Sequence, residues 1–305
     1  MIGWVFPGQG SQRPAMAAAL GACERLLEAT EPAFGPQLKR LCYSAAKTSW
    51  PSHLLQPAIF VTSVGAATSV EAHGFRPDAA VGHSLGEFAA LVAAGSLSFE
   101  DALMLVGVRG REMGNAGQRK PGGMAAVLML DTATVAEICE AIDGVWVANF
   151  NSDSQTVVSG TDDALTEAAE KCLSAGARRV VRLDVPIAAH TPLMAPAAEA
   201  LGEAIKDVEI QRPSCRFYSP VDARSHEEPD EIRRLLVSGI TSPVRFSETL
   251  KEMSAAGVAD FVEVGPGNVL RGLVKQNLPE ARIAGVSSDE EAEALAFGLG
   301  RMQPA

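Results

Sequence analysis

Residues 78–94 read Asp78-Ala79-Ala80-Val81-Gly82-His83-Ser84-Leu85-Gly86-Glu87-Phe88-Ala89-Ala90-Leu91-Val92-Ala93-Ala94, and their order decides the fold. Small apolar residues lead into a Gly-x-Ser-x-Gly element, and a run of good helix formers follows from Glu87 to Ala94. That order predicts a strand, a sharp turn and a helix, with serine at the apex and glycines where side chains would not fit. The hydroxyl is left at the carboxyl end of a strand, over a helix N-terminus whose amides favour developing negative charge. A chance match is the competing reading of so short a pattern in a glycine-rich chain. The flanking strand and helix favour Ser84 as a nucleophile.

A serine needs a base at neutral pH. The chain has five histidines. His83 adjoins the serine and reads as a packed ring pointing away from the turn. His73 precedes Gly74 at an expected helix end, and His53 and His226 lie in polar stretches that read as surface loops. His190 sits in Val185-Pro186-Ile187-Ala188-Ala189-His190-Thr191-Pro192-Leu193-Met194, after an expected strand and before an expected helix, among small residues that leave room beside the ring. From the residues alone it is equally a base or a packed side chain.

Composition sets wide bounds. The 305 residues are 47% apolar and 21% charged, as for a globular chain of one large or two modest domains. No apolar run reaches the ~18 residues of a membrane span, and Met1-Ile2-Gly3-Trp4-Val5-Phe6 lacks the basic start of a signal peptide. The expectation is a cytoplasmic protein without membrane contact. Cys23, Cys42, Cys139, Cys172 and Cys215 are scattered and lack metal-ligand spacing, so they read as reduced thiols with no metal site. A net charge of −11 argues against nucleic acid as a partner.

The middle of the chain has its own pattern. Met124–Leu130 is apolar, Thr132–Asp143 has helical spacing, and Val145–Phe150 and Thr156–Ser159 read as strands around a polar turn at 151–155. Thr161 or Asp162 can cap a second helix running to Ala175, and Arg178–Val185 is a last alternating strand. The order βαββαβ is the ferredoxin-like arrangement, with Gly122-Gly123 and Pro186 as punctuation at its ends. The expected organisation is therefore a ferredoxin-like subdomain, 122–189, inserted into an α/β-hydrolase-like core with a parallel sheet formed by 1–121 and 190–305.

Further motifs appear in a fixed order. They are Phe6-Pro7-Gly8-Gln9-Gly10-Ser11-Gln12, Gln56-Pro57-Ala58, Gly82-His83-Ser84-Leu85-Gly86-Glu87, Val108-Arg109-Gly110-Arg111-Glu112-Met113 and Asn149-Phe150-Asn151. His190-Thr191-Pro192-Leu193-Met194, Pro243-Val244-Arg245-Phe246 and Glu263-Val264-Gly265-Pro266-Gly267 complete the series. Each is weak alone. In this order and spacing the set resembles the malonyl-CoA:acyl-carrier-protein transacylases of fatty-acid synthesis and the acyltransferase domains of polyketide synthases, over residues 1 to about 280.

The resemblance implies roles. Acyl groups would pass from a pantetheine thioester to Ser84 and on to a second thiol, with His190 carrying the proton both ways. The amides of Leu85 and Gln9 would hold the oxyanion, where one donor is typically worth ~3 kcal/mol. A main-chain carbonyl in the Pro243–Phe246 segment would orient His190, giving a dyad without an aspartate. Arginine rather than glutamine at 245 is the commoner choice in polyketide acyltransferases.

Arg109 would hold the free carboxylate of malonyl through two parallel hydrogen bonds. Arg109 and Arg111 lie about 200° apart on a helix, so at most one faces a pocket; the motif selects Arg109. Gln56 would help line that pocket. Leu85 resembles malonyl-selective members, whereas Ala189 leaves open the space that a branched acyl group would need. No cofactor is implied beyond malonyl-CoA as substrate and the phosphopantetheine of an acyl carrier protein as acceptor. The other motifs of a synthase are missing, so a free-standing monomer acting in trans is expected. Basic clusters at Arg178-Arg179 with Arg182, at Arg119-Lys120 and at Arg271 with Lys275 are candidate carrier contacts. A hydrolase clearing carriers and a transferase of branched units are the alternatives; the intact arginine argues against the hydrolase.

Overall fold

In the computed structural model, which describes residues 1–46 and 50–300, the chain forms two separate sheets. In chain order the elements are β1 (Ile2–Phe6), α1 (Ala22–Tyr43), α2 (Ser52–Ala72), β2 (Ala79–Gly82), α3 (Gly86–Ala93) and α4 (Phe99–Arg119). Next come β3 (Gly122–Leu128), α5 (Thr132–Glu140), β4 (Val145–Ser152), β5 (Gln155–Thr161), α6 (Asp162–Ser174) and β6 (Arg179–Arg182). A 3-10 turn at Pro192–Met194 leads to α7 (Ala195–Ala204), β7 (Arg216–Ser219), β8 (Arg224–His226), α8 (Pro229–Ser238) and α9 (Phe246–Ala255). The described chain ends with β9 (Asp260–Val264), α10 (Val269–Asn277), β10 (Arg282–Val286) and α11 (Asp289–Gly300). The expectation of a fraying end over 301–305 lies outside the described residues.

The larger sheet has the order β10-β9-β1-β2-β7-β8. Its strands pair in parallel except the edge pair β7 and β8, which is antiparallel. Parallel strands covered on both faces read as unbroken apolar runs. Thus β2 is Ala-Ala-Val-Gly, fully buried, and β1 buries Gly3 to Phe6. Helix α2 is buried nearly all round, consistent with a position inside the core rather than on it.

The smaller sheet, β4-β5-β3-β6, is antiparallel throughout. Its own core includes Val127, Val135, Val158, Leu165 and Cys172, while Met124, Ala126, Ala148 and Val157 join the main core. One face of this sheet therefore packs on its helices and the other on the larger part of the molecule. Backbone hydrogen bonds add a second link: Phe150 N donates to Val244 O at 2.9 Å and Val244 N to Ala148 O at 2.8 Å.

Several expected boundaries move. α5 stops at Glu140, three residues early, because Gly144 at φ +92 turns the chain into β4. β4 and β5 are longer than expected because their pairing continues to Ser152 and Gln155, and β6 is only four residues long. Gly122-Gly123 begins β3 rather than preceding it. Thr161 makes no side-chain cap to α6, whereas Asp131 caps α5 by accepting from Thr134 N at 2.9 Å. Two of the expected loop histidines lie elsewhere. His53 is exposed on the first turn of α2, and His226 is buried at the end of β8, where Asp222 and Glu231 satisfy both ring nitrogens at 3.0 and 3.1 Å. No helix among the described residues is long and apolar enough to cross a membrane.

Candidate active site

Two loops meet where β1 and β2 end side by side, at the carboxyl edge of the larger sheet, where crevices of open α/β sheets form. After β1, residues 7–12 make a tight turn held by Ser11 Oγ donating to Gly8 O at 2.7 Å and by Gly10 N donating to Gln12 Oε1 at 2.8 Å. After β2, the chain turns at Ser84 and enters α3. A Cβ on Gly86 would strike the backbone of Phe6, and one on Gly82 would strike the backbone of Glu87. These two positions accept no side chain, which is why the elbow is flanked by glycine. The apex pays in backbone strain: Ser84 sits at φ +56, and His190 at +62, both in the left-handed region.

His190 reaches the elbow from a loop fixed just beyond it. Thr191 Oγ1 donates to Ala188 O at 2.7 Å and accepts from Leu193 N at 3.2 Å. The His190 Nε2 then lies 2.8 Å from Ser84 Oγ, while Nδ1 meets Gly239 O at 2.8 Å and Ser242 O at 3.1 Å. Both Nδ1 partners are acceptors, so Nδ1 carries the proton and Nε2 is left to accept from the serine. The ring is 5% exposed. Burial first, and then the nearby Arg109 charge, lower its pKa to about 3, so the imidazole is neutral across the physiological range.

The orienting carbonyls come from the turn after α8, not from the expected 243–246 segment. That segment is drawn away by Val244, which pairs with β4, and Arg245 bonds Glu248 through Nε and Nη2 at 2.7 Å each. The Arg245 side chain makes no hydrogen bond to His190 among the described residues.

Arg109 lies on the buried face of α4 at 4% exposure, whereas Arg111, two residues on, is exposed and pairs with Glu112. Helical geometry separates them as expected. Arg109 Nη1 donates to Gln56 Oε1 at 2.7 Å and Nη2 donates to Ser84 Oγ at 2.8 Å. Gln56, fully buried on α2, donates from Nε2 to Gln9 Oε1 at 3.4 Å. Gln9, Gln56, Arg109, Ser84 and His190 are thus one hydrogen-bonded chain. Leu85 is 1% exposed at the entrance to α3. Ala189 is 6% exposed and packs in the main core.

Two cavities flank this chain. One, of about 230 Å³, is lined by Gln9, His83, Asn149, Asn151, Gln155 and Leu270. The other, of about 510 Å³, is lined by Trp146, Phe150, His190, Pro192, Thr241 and Pro243. β4 runs between them. Sequence reasoning did not foresee what its asparagines do. Asn151 Oδ1 meets His83 Nε2 at 3.0 Å, and Asn149 Oδ1 is buried with no partner. Alternation along a strand, which puts residues 149 and 151 on one face, was the available signal.

The glutamate of Glu263-Val264-Gly265-Pro266-Gly267 caps α10, accepting from Leu270 N and Arg271 N at 3.0 Å each. The basic clusters are partly committed: Arg182 pairs with Asp162, Arg271 with Glu263, and Lys275 donates to Pro279 O and Ala281 O, whereas Arg178, Arg179, Arg119 and Lys120 are exposed. Among the described residues no group of three or more His, Cys, Asp or Glu could hold a metal ion.

Comparison with known proteins bears on this geometry. The acyl transferase domain family matches residues 3–304. The malonyl CoA-acyl carrier protein transacylase of Bacillus subtilis is 36% identical over 301 residues, spanning 96% of this chain and 95% of that protein. The solved structure of the malonyl CoA-acyl carrier protein transacylase from Coxiella burnetii superposes with a TM-score of 0.93 at 35% identity, covering 97% of this chain and 96% of that one. A malonyl-transacylase solved in complex with its type II polyketide acyl-carrier protein also gives 0.93, at 31% identity over 97% and 99% of the two chains.

Proposed function

The chain belongs to the acyl transferase domain family, and on that premise we propose that it moves a malonyl group from malonyl-CoA, through an ester on Ser84, to the phosphopantetheine thiol of an acyl carrier protein. The observation that carries this reading is the Arg109 guanidinium, buried and within hydrogen-bond distance of the nucleophile. A fixed cation beside the reacting oxygen selects an acyl group bearing its own carboxylate.

Ser84 Oγ attacks the thioester carbonyl as its proton passes to His190 Nε2. The amides of Gln9 and Leu85 take the oxyanion, and collapse expels the pantetheine thiolate, which recovers the proton from the imidazolium. Gly239 O and Ser242 O hold Nδ1–H throughout and are nearest the ring when it becomes charged. The malonyl carboxylate replaces Ser84 Oγ as the partner of Arg109 Nη2, freeing the hydroxyl for attack, while Gln56 keeps the guanidinium in plane. Asn149 Oδ1, buried and unpartnered, offers an acceptor to an amide N–H of the pantetheine arm. The second half-reaction runs the same steps with the carrier's thiol.

The proposed enzyme is a cytoplasmic monomer that needs no cofactor. In the same reading 1–121 and 190–305 form an α/β-hydrolase-like core and 122–189 a ferredoxin-like insertion; the strand order β4-β5-β3-β6 supports the latter. A panel of acyl-CoAs incubated with enzyme and one phosphopantetheinylated carrier tests the reading by intact mass. Malonyl-carrier is expected to dominate over acetyl- and methylmalonyl-carrier, and an indifferent product mixture would contradict it.

A further inference from the structure

β4 is the edge strand of the smaller sheet, and its pairing with β5 skips two residues, Ala148 and Asn151. Bulges of this kind turn a residue's polar groups away from the ladder, and both of these bond to the larger part of the molecule instead. Asn151 Oδ1 meets Nε2 of His83, the neighbour of the nucleophile, at 3.0 Å. Asn151 Nδ2 donates to Gln155 Oε1 at 2.8 Å, which leaves Oδ1 facing the ring, so Nε2 is the donor. Ala148 O accepts from Val244 N at 2.8 Å, and Phe150 N donates to Val244 O at 2.9 Å.

These contacts end at the two halves of the dyad. His83 is built into the elbow: its N donates to Phe6 O at 2.9 Å and its O accepts from Gly86 N at 3.1 Å. A Cβ on Gly8 would stand 2.4 Å from His83 O, so the ring cannot shift without carrying the turn at Ser84 with it. Val244 lies two residues after Ser242, whose carbonyl, with that of Gly239, holds His190 Nδ1. Phe246, two residues further on, sets its ring edge-on against His83 with centroids 5.1 Å apart. The backbone of Asn151 is fixed as well. Asn277 Nδ2 on α10 donates to Asn151 O at 2.8 Å, and Asn277 Oδ1 accepts from Ser247 Oγ, on the helix that Phe246 opens, at 2.5 Å. His83, Asn151, Ala148, Val244, Ser242 and His190 thus form a closed circuit around Ser84.

We infer that β4 is the strut that sets the distance between Ser84 Oγ and His190 Nε2, with Asn151 and Val244 as its positioning residues. The inserted sheet then does more than wall the cleft: it aligns the nucleophile with its base. The inference rests on the reading of Ser84 and His190 as that pair. Arg109 bonds to Ser84 and Gln56 and takes no part in the strut, so loosening β4 slows all acyl groups alike.

The test follows modification of Ser84 by phenylmethylsulfonyl fluoride, a neutral reagent with neither pantetheine nor carboxylate, by intact mass. Folded Asn151→Ala is expected to react roughly 10- to 100-fold more slowly, the scale that a displacement of up to ~1 Å costs. Asn151→Asp keeps the acceptor for His83 and is expected to restore the rate. Val244→Pro, which lacks the N–H that Ala148 O accepts, is expected to slow as Asn151→Ala does; if it does not fold, the Asn151 variants decide. With malonyl-CoA and acetyl-CoA, Asn151→Ala is expected to lower the two acylation rates by the same factor. In a His190→Ala background, Asn151→Ala is expected to change the residual malonylation rate no further, because no base is left to align, whereas a general loosening of the fold would lower it again. A wild-type rate in Asn151→Ala or in folded Val244→Pro would overturn the inference. So would an Asn151→Asp as slow as Asn151→Ala, a loss confined to one acyl group, or a further loss in the His190→Ala background. If the reagent marks a residue other than Ser84, or His190→Ala reacts at the wild-type rate, the dyad reading fails instead.

Discussion

Ser84→Ala is expected to take up no malonyl group from malonyl-CoA, whereas the wild-type enzyme adds one, on the peptide that carries residue 84. Turnover should fall on the order of 10⁶-fold, the scale seen when a hydrolytic nucleophile of this kind is removed. His190→Ala should retain the fold and lose about 10²–10⁴-fold, the usual worth of general-base assistance. The two losses are not additive, because Ser84 Oγ and His190 Nε2, 2.8 Å apart, act as one unit. The same geometry sets the acid limb. With the imidazole pKa lowered to about 3, chiefly by burial, kcat/KM should hold as pH falls through 6.5, where an ordinary histidine would be half protonated. Label on a residue other than Ser84, or full transfer by the alanine variant, would end the covalent account.

Arg109→Ala is expected to cost malonyl transfer about 2–5 kcal/mol, or roughly 30- to 5,000-fold in kcat/KM, because a desolvated carboxylate would lack its partner. Arg109 also donates to Ser84 Oγ and Gln56 Oε1, so a smaller loss common to all acyl groups accompanies it. The diagnostic quantity is the excess loss for malonyl over acetyl. Steady-state kinetics with both acyl-CoAs measures it, and equal losses would make the arginine structural.

How much of this was legible depended on where the information is carried. The elbow could be read because its backbone excludes side chains, and that exclusion is written as glycine at 82 and 86. A helix turns neighbours two positions apart to opposite sides, so only one of Arg109 and Arg111 could face the pocket, and the motif match selected Arg109. The parallel sheet was legible in short apolar strands such as 79–82. Main-chain acceptors leave no such mark. The carbonyls that fix His190 belong to Gly239 and Ser242, whose side chains do not determine the contact, so the expected position fell a few residues too late.

Long-range burial was the other blind spot. Glu87 looks like an ordinary first-turn acid until Ser219, 132 residues away, closes over it. His226 reads as a loop residue until Asp222 and Glu231 enclose its ring. In both cases the partner was visible in the sequence, but the packing that joins them was not.

The central claim is that the acyl group on Ser84 is reserved for a carrier thiol. It is tested most directly by forming malonyl-Ser84, removing malonyl-CoA, and following the ester by intact mass with and without phosphopantetheinylated carrier. The account predicts an ester that survives for minutes alone and empties rapidly when carrier is added, with malonyl-carrier the main product and free malonate minor. Malonate released at the same rate with and without carrier would contradict it and make the enzyme a hydrolase.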